Sequence, residues 1–346
     1  MKIKIEPIEK DCDLGNRILL HLNDLTKPQG SLGRLEEFAL KYCLCKNSEF
    51  SDLKKMAIYT FAGDHGITNQ QVCPYPKEVT SQMVLNMISG GAAISVLCKN
   101  AGIESFIVDM GVDGAFKSST KVINKKVANG TSDFSIGCAM TSLQCREAID
   151  GGFTLAKDSG VDLLGIGEMG IGNSSSASAL YAMLLSIDSD LTVGAGTGSA
   201  GAMLEHKKKV IKQAVKLHLE KWDGSALDAL ARVGGFEIAG MTGMILGGAA
   251  SRIPVVVDGF ISGAAALVAM KMEPAIKDYL FFSHASAEHF HRAFLEMIDM
   301  KPVLDLGMRL GEGTGAALAM QIIKNSLHLY HEMATFSSAG VAKENK

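Results

Sequence analysis

Six times along this chain a short apolar run ends in a cluster of glycine with Asp, His, Glu, Ser or Thr. The first three are "MAIYTFAGDHG" (56–66), "ESFIVDMGVDG" (104–114) and "VDLLGIGEMGIGNSS" (161–175). The others are "LTVGAGTG" (191–198), "IPVVVDGFISG" (253–263) and "DYLFFSHASAE" (278–288). Each run is apolar along its length instead of alternating, the pattern of a strand buried on both faces. Between the runs lie segments with helical spacing, such as "VTSQMVLNMISGGAAISVLCKNAG" and "SSASALYAMLLSI". Strand, glycine-rich turn and helix in repetition predict an α/β fold with a parallel sheet covered by helices. In such a sheet the loops after the strands emerge at one edge, where ligands bind. Six polar, glycine-rich loops are therefore expected to converge on one site.

The two ends read differently. Residues 1–50 look like helices broken at "KPQG", and 314–336 form a long run with apolar positions three and four apart. A chain of 346 residues, 47% hydrophobic and 21% charged, is globular and fits one large domain with a small one. Its net charge of −3 gives no reason to expect nucleic acid or an anionic membrane as partner. No apolar run is expected to reach the length needed to span a bilayer, and the N-terminus has no signal core. Seven cysteines without a C-x-x-C pair predict reduced thiols and a cytoplasmic setting. Cys43 and Cys45 are too close for an ordinary bridge and are expected in the core, like most of the others.

"GIGEMGIGNSS" (165–175) follows a predicted strand and opens a predicted helix, a place where amides bind an anion. It contains G-x-G-x-x-G, the dinucleotide spacing, but Glu168 inside the loop repels a pyrophosphate. The acid expected about twenty residues on falls at Asp188 or Asp190, before the next run and not at its end. "GAGTG" (194–198) lies shortly before Lys207, Lys208 and Lys209, a combination that suits one phosphate; two of those lysines read as a solvated helix face. His284, His289 and His291 match no zinc spacing, and no metal is predicted. Asp64 and His65 read as loop-shaping residues. In "MRLGEGTG" (308–315), Glu312 stands between glycines, either as a solvated turn or as a carboxylate left open to approach.

Taken together, "KPQGSLGRLE" (27–36), "FAGDHGI" (61–67), "YPKEVT" (75–80), "GIGEMGIGNSS", "GGFEIAGMTGMILGGAASRIPVVVDGFISGAAAL" (234–267) and "MRLGEGTGAALAM" (308–320) resemble the nicotinate-nucleotide–dimethylbenzimidazole phosphoribosyltransferase family. The resemblance implies a Rossmann-like six-stranded parallel sheet in residues 51–313. Residues 1–50 with 314–346 would form a small helical domain. It implies a dimer, of identical chains or of two paralogues, and no cofactor. The implied reaction moves phosphoribose from nicotinate mononucleotide to an aromatic base, giving α-ribazole phosphate and nicotinate. Relatives that use a phenolic acceptor leave the acceptor open.

The resemblance also assigns residues. Glu312 is the implied base that removes the acceptor's proton, and Glu168 the loop glutamate beside it. Gly170, Ile171, Gly172, Asn173, Ser174, Gly196, Thr197 and Gly198 would hold the nucleotide, with Lys207 on its phosphate. Asp258 and Ser283 are also assigned to the nucleotide. Tyr75, Met83, Leu310 and Gly311 would line the base pocket. The sequence departs from the family pattern in "QQVCPYP" (70–76), near that pocket, and in "SHASAEHFHR" (283–292).

Overall fold

The computed structural model describes residues 4–9, 12–114, 116 and 122–342; the ends of the expected small helical domain, 1–3 and 343–346, lie outside them. Its centre is a six-stranded sheet in the order β3-β2-β1-β4-β5-β6. The strands are β1 (Met56–Gly63), β2 (Glu104–Gly111), β3 (Val122–Asn124), β4 (Leu163–Met169), β5 (Val255–Val257) and β6 (Leu280–Phe282). All neighbours are parallel: Ala57 lies beside Glu104, Met56 beside Leu163, Leu164 beside Val255, and Val255 beside Leu280. Every residue of β1 is buried, as its unbroken apolar run requires.

Five of the six predicted strands are present, and one is not. Residues 191–198 make no strand: Ser189–Thr192 is a short helix that runs into a loop. The Asp188 side chain accepts from Asp190 N at 2.9 Å and starts that helix. Thr192 then exchanges hydrogen bonds with Ser178, its Oγ1 donating to Ser178 O at 2.8 Å and its O accepting from Ser178 Oγ at 2.9 Å. Capping and this side-chain tether override the β preference of Leu-Thr-Val. The sixth strand is β3, a half-buried edge strand of three residues that leaves no pattern in the sequence.

One face of the sheet is covered by the helices Ser142–Asp158, Asn173–Leu185, Phe236–Ala250 and Phe260–Met272. The other carries Thr314–Glu332 against β1, β4 and β5, with Arg34–Lys46 packed on that helix. Tyr42, Ile58, Met320 and Tyr330 share the resulting apolar layer. Contrary to the expectation from sequence, one segment, Val79–Ala101, is long and apolar enough to cross a membrane. It is broken at Gly90 into the helices Val79–Ser89 and Ala93–Ala101, both packed against the sheet. Strand order reverses direction between β1 and β4, so a crevice opens at the carboxyl ends of these two strands.

Candidate active site

The crevice is a cleft of about 410 Å³. One wall is the turn from β4 into the helix Asn173–Leu185. Glu168, Gly170, Ile171, Asn173 and Ser174 line it. Gly196 and Thr197 close one end, while Tyr75, Val79, Met83 and Leu310 form an apolar rim at another. Leu310 and Tyr75 are more than half exposed, so this rim faces solvent. Gly311 and Glu312 complete the wall beside the end of β4.

Glu312 is 4% exposed, which excludes the solvated turn. Its backbone is left-handed at φ +64°, a conformation that costs a residue with a side chain about 1 kcal/mol. Three contacts hold it there. Thr60 Oγ1 donates to its carbonyl at 2.9 Å, its N–H donates to Glu168 O at 3.2 Å, and Ile94 N donates to Oε2 at 3.4 Å. Burial raises the Glu312 pKa, and the Ile94 amide opposes that rise. Ile94 opens the helix Ala93–Ala101, so the positive end of a helix faces the carboxylate and favours its charged form.

The glycines around Glu312 have an internal reason. Gly311 has φ +87°, which favours glycine, and a Cβ there would displace the Glu168 carboxyl that now lies against it. Glu168 itself sits at the floor with Asn173 Nδ2 donating to its Oε2. Burial pushes its pKa up to about 8, the Asn173 bond pulls down, and the charges of Asp258, Glu237 and Glu312 push up further. Two carboxyls in one cleft thus differ, one at a helix end and one sunk without a cation.

Asp258 and Ser283 stand behind the wall, not on it. Asp258 accepts from Gly313 N at 2.9 Å, Gly315 N at 2.7 Å and Ala316 N at 3.2 Å. It therefore caps the helix Thr314–Glu332 and pins the Glu312 turn. Burial raises its pKa to about 7 against the pull of those amides. Ser283 Oγ donates to Asp258 O at 2.7 Å. Gly172 immediately precedes the Asn173–Leu185 helix and packs on Thr68 and His65, and Gly198 lies outside the wall.

Lys207 also approaches from behind. It is 1% exposed, and its Nζ donates to Ser174 Oγ at 2.9 Å and Gly194 O at 3.2 Å. Burial lowers its pKa. Lys208 is half-buried and Lys209 exposed, the split expected for a helix face. Two of the loop amides are already engaged, Ile171 N on Thr80 Oγ1 at 3.1 Å and Asn173 N on Gly170 O at 3.2 Å. Anion binding by this loop therefore rests on fewer amides than its glycine count suggests.

Sequence reasoning did not place His284, Ser286, Glu288, Arg309 or Phe260 on the wall, where they stand. Glu288 and Ser286 were visible only as part of a histidine-rich stretch, and Arg309 only as a neighbour of Glu312. The three histidines of that stretch separate. His284 lines the cleft, His289 is exposed, and His291 is buried with Nδ1 accepting from Ser286 N at 2.9 Å. Among the described residues no three His, Cys, Asp or Glu side chains gather as a metal site. His65 does more than shape a loop: Nε2 meets Glu237 Oε1 at 2.7 Å and Nδ1 meets Ser176 Oγ at 3.1 Å, all buried.

A doubly wound parallel sheet with its cleft at the switch point places the chain among α/β enzymes that bind small substrates between loops. Comparison narrows this class. The phosphoribosyltransferase family model matches residues 7–341. The nicotinate-nucleotide–dimethylbenzimidazole phosphoribosyltransferase of Chlorobium chlorochromatii (strain CaD3) is 49% identical, covering 99% of both chains. That of Oleidesulfovibrio alaskensis is 45% identical over 97% of this chain and 95% of its own. A crystal structure of the enzyme of that name from Thermus thermophilus superposes with a TM-score of 0.89 at 37% identity, over 96% of this chain and 100% of that one. The chain belongs to the nicotinate-nucleotide–dimethylbenzimidazole phosphoribosyltransferase family.

Proposed function

We propose that this protein transfers the phosphoribosyl group of nicotinate mononucleotide to 5,6-dimethylbenzimidazole, releasing nicotinate. The observation that carries the mechanism is Glu312, a buried carboxylate at a helix N-terminus beside an apolar rim. The acceptor's ring nitrogen attacks the anomeric carbon as the bond to the pyridinium nitrogen breaks. The bonding electrons return to the nicotinate ring, which leaves neutral at nitrogen and needs no acid. The acceptor's second nitrogen becomes acidic as positive charge develops, and Glu312 takes its proton. The helix Ala93–Ala101 favours the charged base before the step, while the strained backbone holds it at one place.

Tyr75, Val79, Met83 and Leu310 would cover the faces of the flat acceptor. Ser174, Gly196, Thr197 and, through Ser174, Lys207 would form the phosphate end. A cationic pyridinium in the cleft favours ionised Glu168, which then stabilises the positive charge that builds at the anomeric carbon. Asp258 and Ser283 act on the reaction by fixing the Glu312 turn. The terminal helical regions, 1–50 with 314–346, are proposed as the small domain, and a dimer as the working unit.

Purified protein with nicotinate mononucleotide and, separately, dimethylbenzimidazole, adenine and phenol tests the reading by nicotinate release. Release with the benzimidazole is expected. Release with phenol alone assigns a phenolic acceptor, and silence with every acceptor refutes a self-sufficient transferase.

A further inference from the structure

The phosphate end of the cleft already holds an anion, and it is a side chain of the protein. Glu288 is 9% exposed, lines the cleft, and accepts from Gly196 N at 3.1 Å through Oε1. Its position is built for it: any Cβ on Gly194 would collide with Glu288 Oε1. Lys207 is close enough that the Glu288 charge raises its pKa against burial. A Cβ on Gly196 would lie 3.0 Å from Lys207 Nζ, so the ammonium, donating to Ser174 Oγ and Gly194 O, stands directly behind the Gly196 backbone. Arg309 Nη1 reaches Gly196 O at 3.4 Å from the solvent side.

A phosphate dianion and the Glu288 carboxylate cannot share the Gly196 amide. Two like charges a few ångströms apart in a half-buried site repel strongly, because solvent screens them poorly. We propose that Glu288 is a displaceable placeholder that occupies the phosphate seat until a nucleotide arrives, and so lowers the affinity of the seat for free inorganic phosphate. The inference rests on the phosphate end assigned above.

The physical logic is an exchange of one anion for another. With Glu288 in place the Gly196 amide has an acceptor, and a buried donor without one is costly. Inorganic phosphate gains only the seat, and must drive the carboxylate out on that gain alone. Nicotinate mononucleotide meets the same cost but brings ring and ribose contacts as well, so it still binds. Glu288 returning to Gly196 likewise helps to expel the phosphate of the product.

The test is competition of inorganic phosphate against nicotinate mononucleotide in wild type, Glu288→Gln and Lys207→Met. Glu288→Gln keeps a carbonyl acceptor for Gly196 N and removes the charge. If it does not fold, Glu288→Ala takes its place. The expected result is phosphate inhibition at least about tenfold stronger, a gain of about 1.4 kcal/mol, with a lower KM for the nucleotide. Unchanged or weaker phosphate inhibition overturns the placeholder, and so does a raised KM for the nucleotide, which would make Glu288 a substrate contact. Lys207→Met is expected to raise both constants. If it moves neither, the phosphate end itself is misassigned and the placeholder falls with it, while nicotinate release to the base still reports the reaction independently.

Discussion

Glu168→Gln isolates the electrostatics of the cleft floor. In the folded chain the carboxyl titrates at about 8 against an ordinary value of 4.5. The folded state therefore binds this proton more tightly than the unfolded chain does. The wild type loses stability as pH rises from 4.5 to 8, and the loss levels off above that. Each pH unit inside the window is worth about 1.4 kcal/mol, so pH 5 to pH 7 spans about 3 kcal/mol, reduced to about 2 where the floor relaxes around the charge. Glutamine keeps an acceptor for Asn173 Nδ2 and has no proton to lose. Asp258, held at about 7, titrates in the same window in both proteins and largely cancels in the comparison. Urea unfolding of the two proteins, followed by circular dichroism at pH 5, 6, 7 and 8, measures the difference. The variant's stability relative to wild type is expected to rise by about 2 kcal/mol between pH 5 and pH 7. A difference that stays flat across that range refutes a carboxyl kept neutral by burial.

Glu312→Gln is expected to lower kcat by about 10² to 10⁴ with little change in nucleotide affinity, read by nicotinate release and by calorimetric titration. Glu312→Gly should abolish turnover yet stabilise the fold by about 1 kcal/mol, since glycine adopts φ +64° without strain; a lower melting temperature would contradict this. His65→Ala leaves Glu237 buried without its partner and is expected to cost about 3–5 kcal/mol in denaturant unfolding, most of it recovered when Glu237→Gln is added. Met83→Ala opens the apolar rim and should raise KM for the benzimidazole about tenfold or more, with the nucleotide KM near wild type in initial-rate assays.

The parallel sheet was legible because buried strands carry unbroken apolar runs, and β1, β2 and β4 are long enough to show them. Residues 191–198 mimicked that pattern, since Leu-Thr-Val is locally indistinguishable from a strand. Its helical form depends on Ser178, a contact from another element. β3 was invisible for the opposite reason, being three residues at the sheet edge, two half-buried and one exposed, placed by pairing with β2. Glu312 was legible as a carboxylate set among glycines, and Lys207 as one lysine of a cluster. Glu288, Arg309 and His284 were not, because nothing local distinguishes a polar residue that faces a cleft from one that faces water.

The chain alone determined what depends on near neighbours: the longer buried strands, which turns are glycine-rich, and which acids lie in those turns. Period and turn chemistry act over a few residues, so the sequence records them directly. Tertiary structure decided which of those turns meet and what each polar group does there. Asp258 turned from a nucleotide contact into the cap of the Glu312 turn because three amides from a distant part of the chain point at it. Glu168 became a nearly neutral acid because it is buried beside other carboxyls, while at Glu312 the Ile94 amide of a helix end opposes the rise that burial causes. Charge state and access are properties of surroundings in space, and only folding assembles those surroundings.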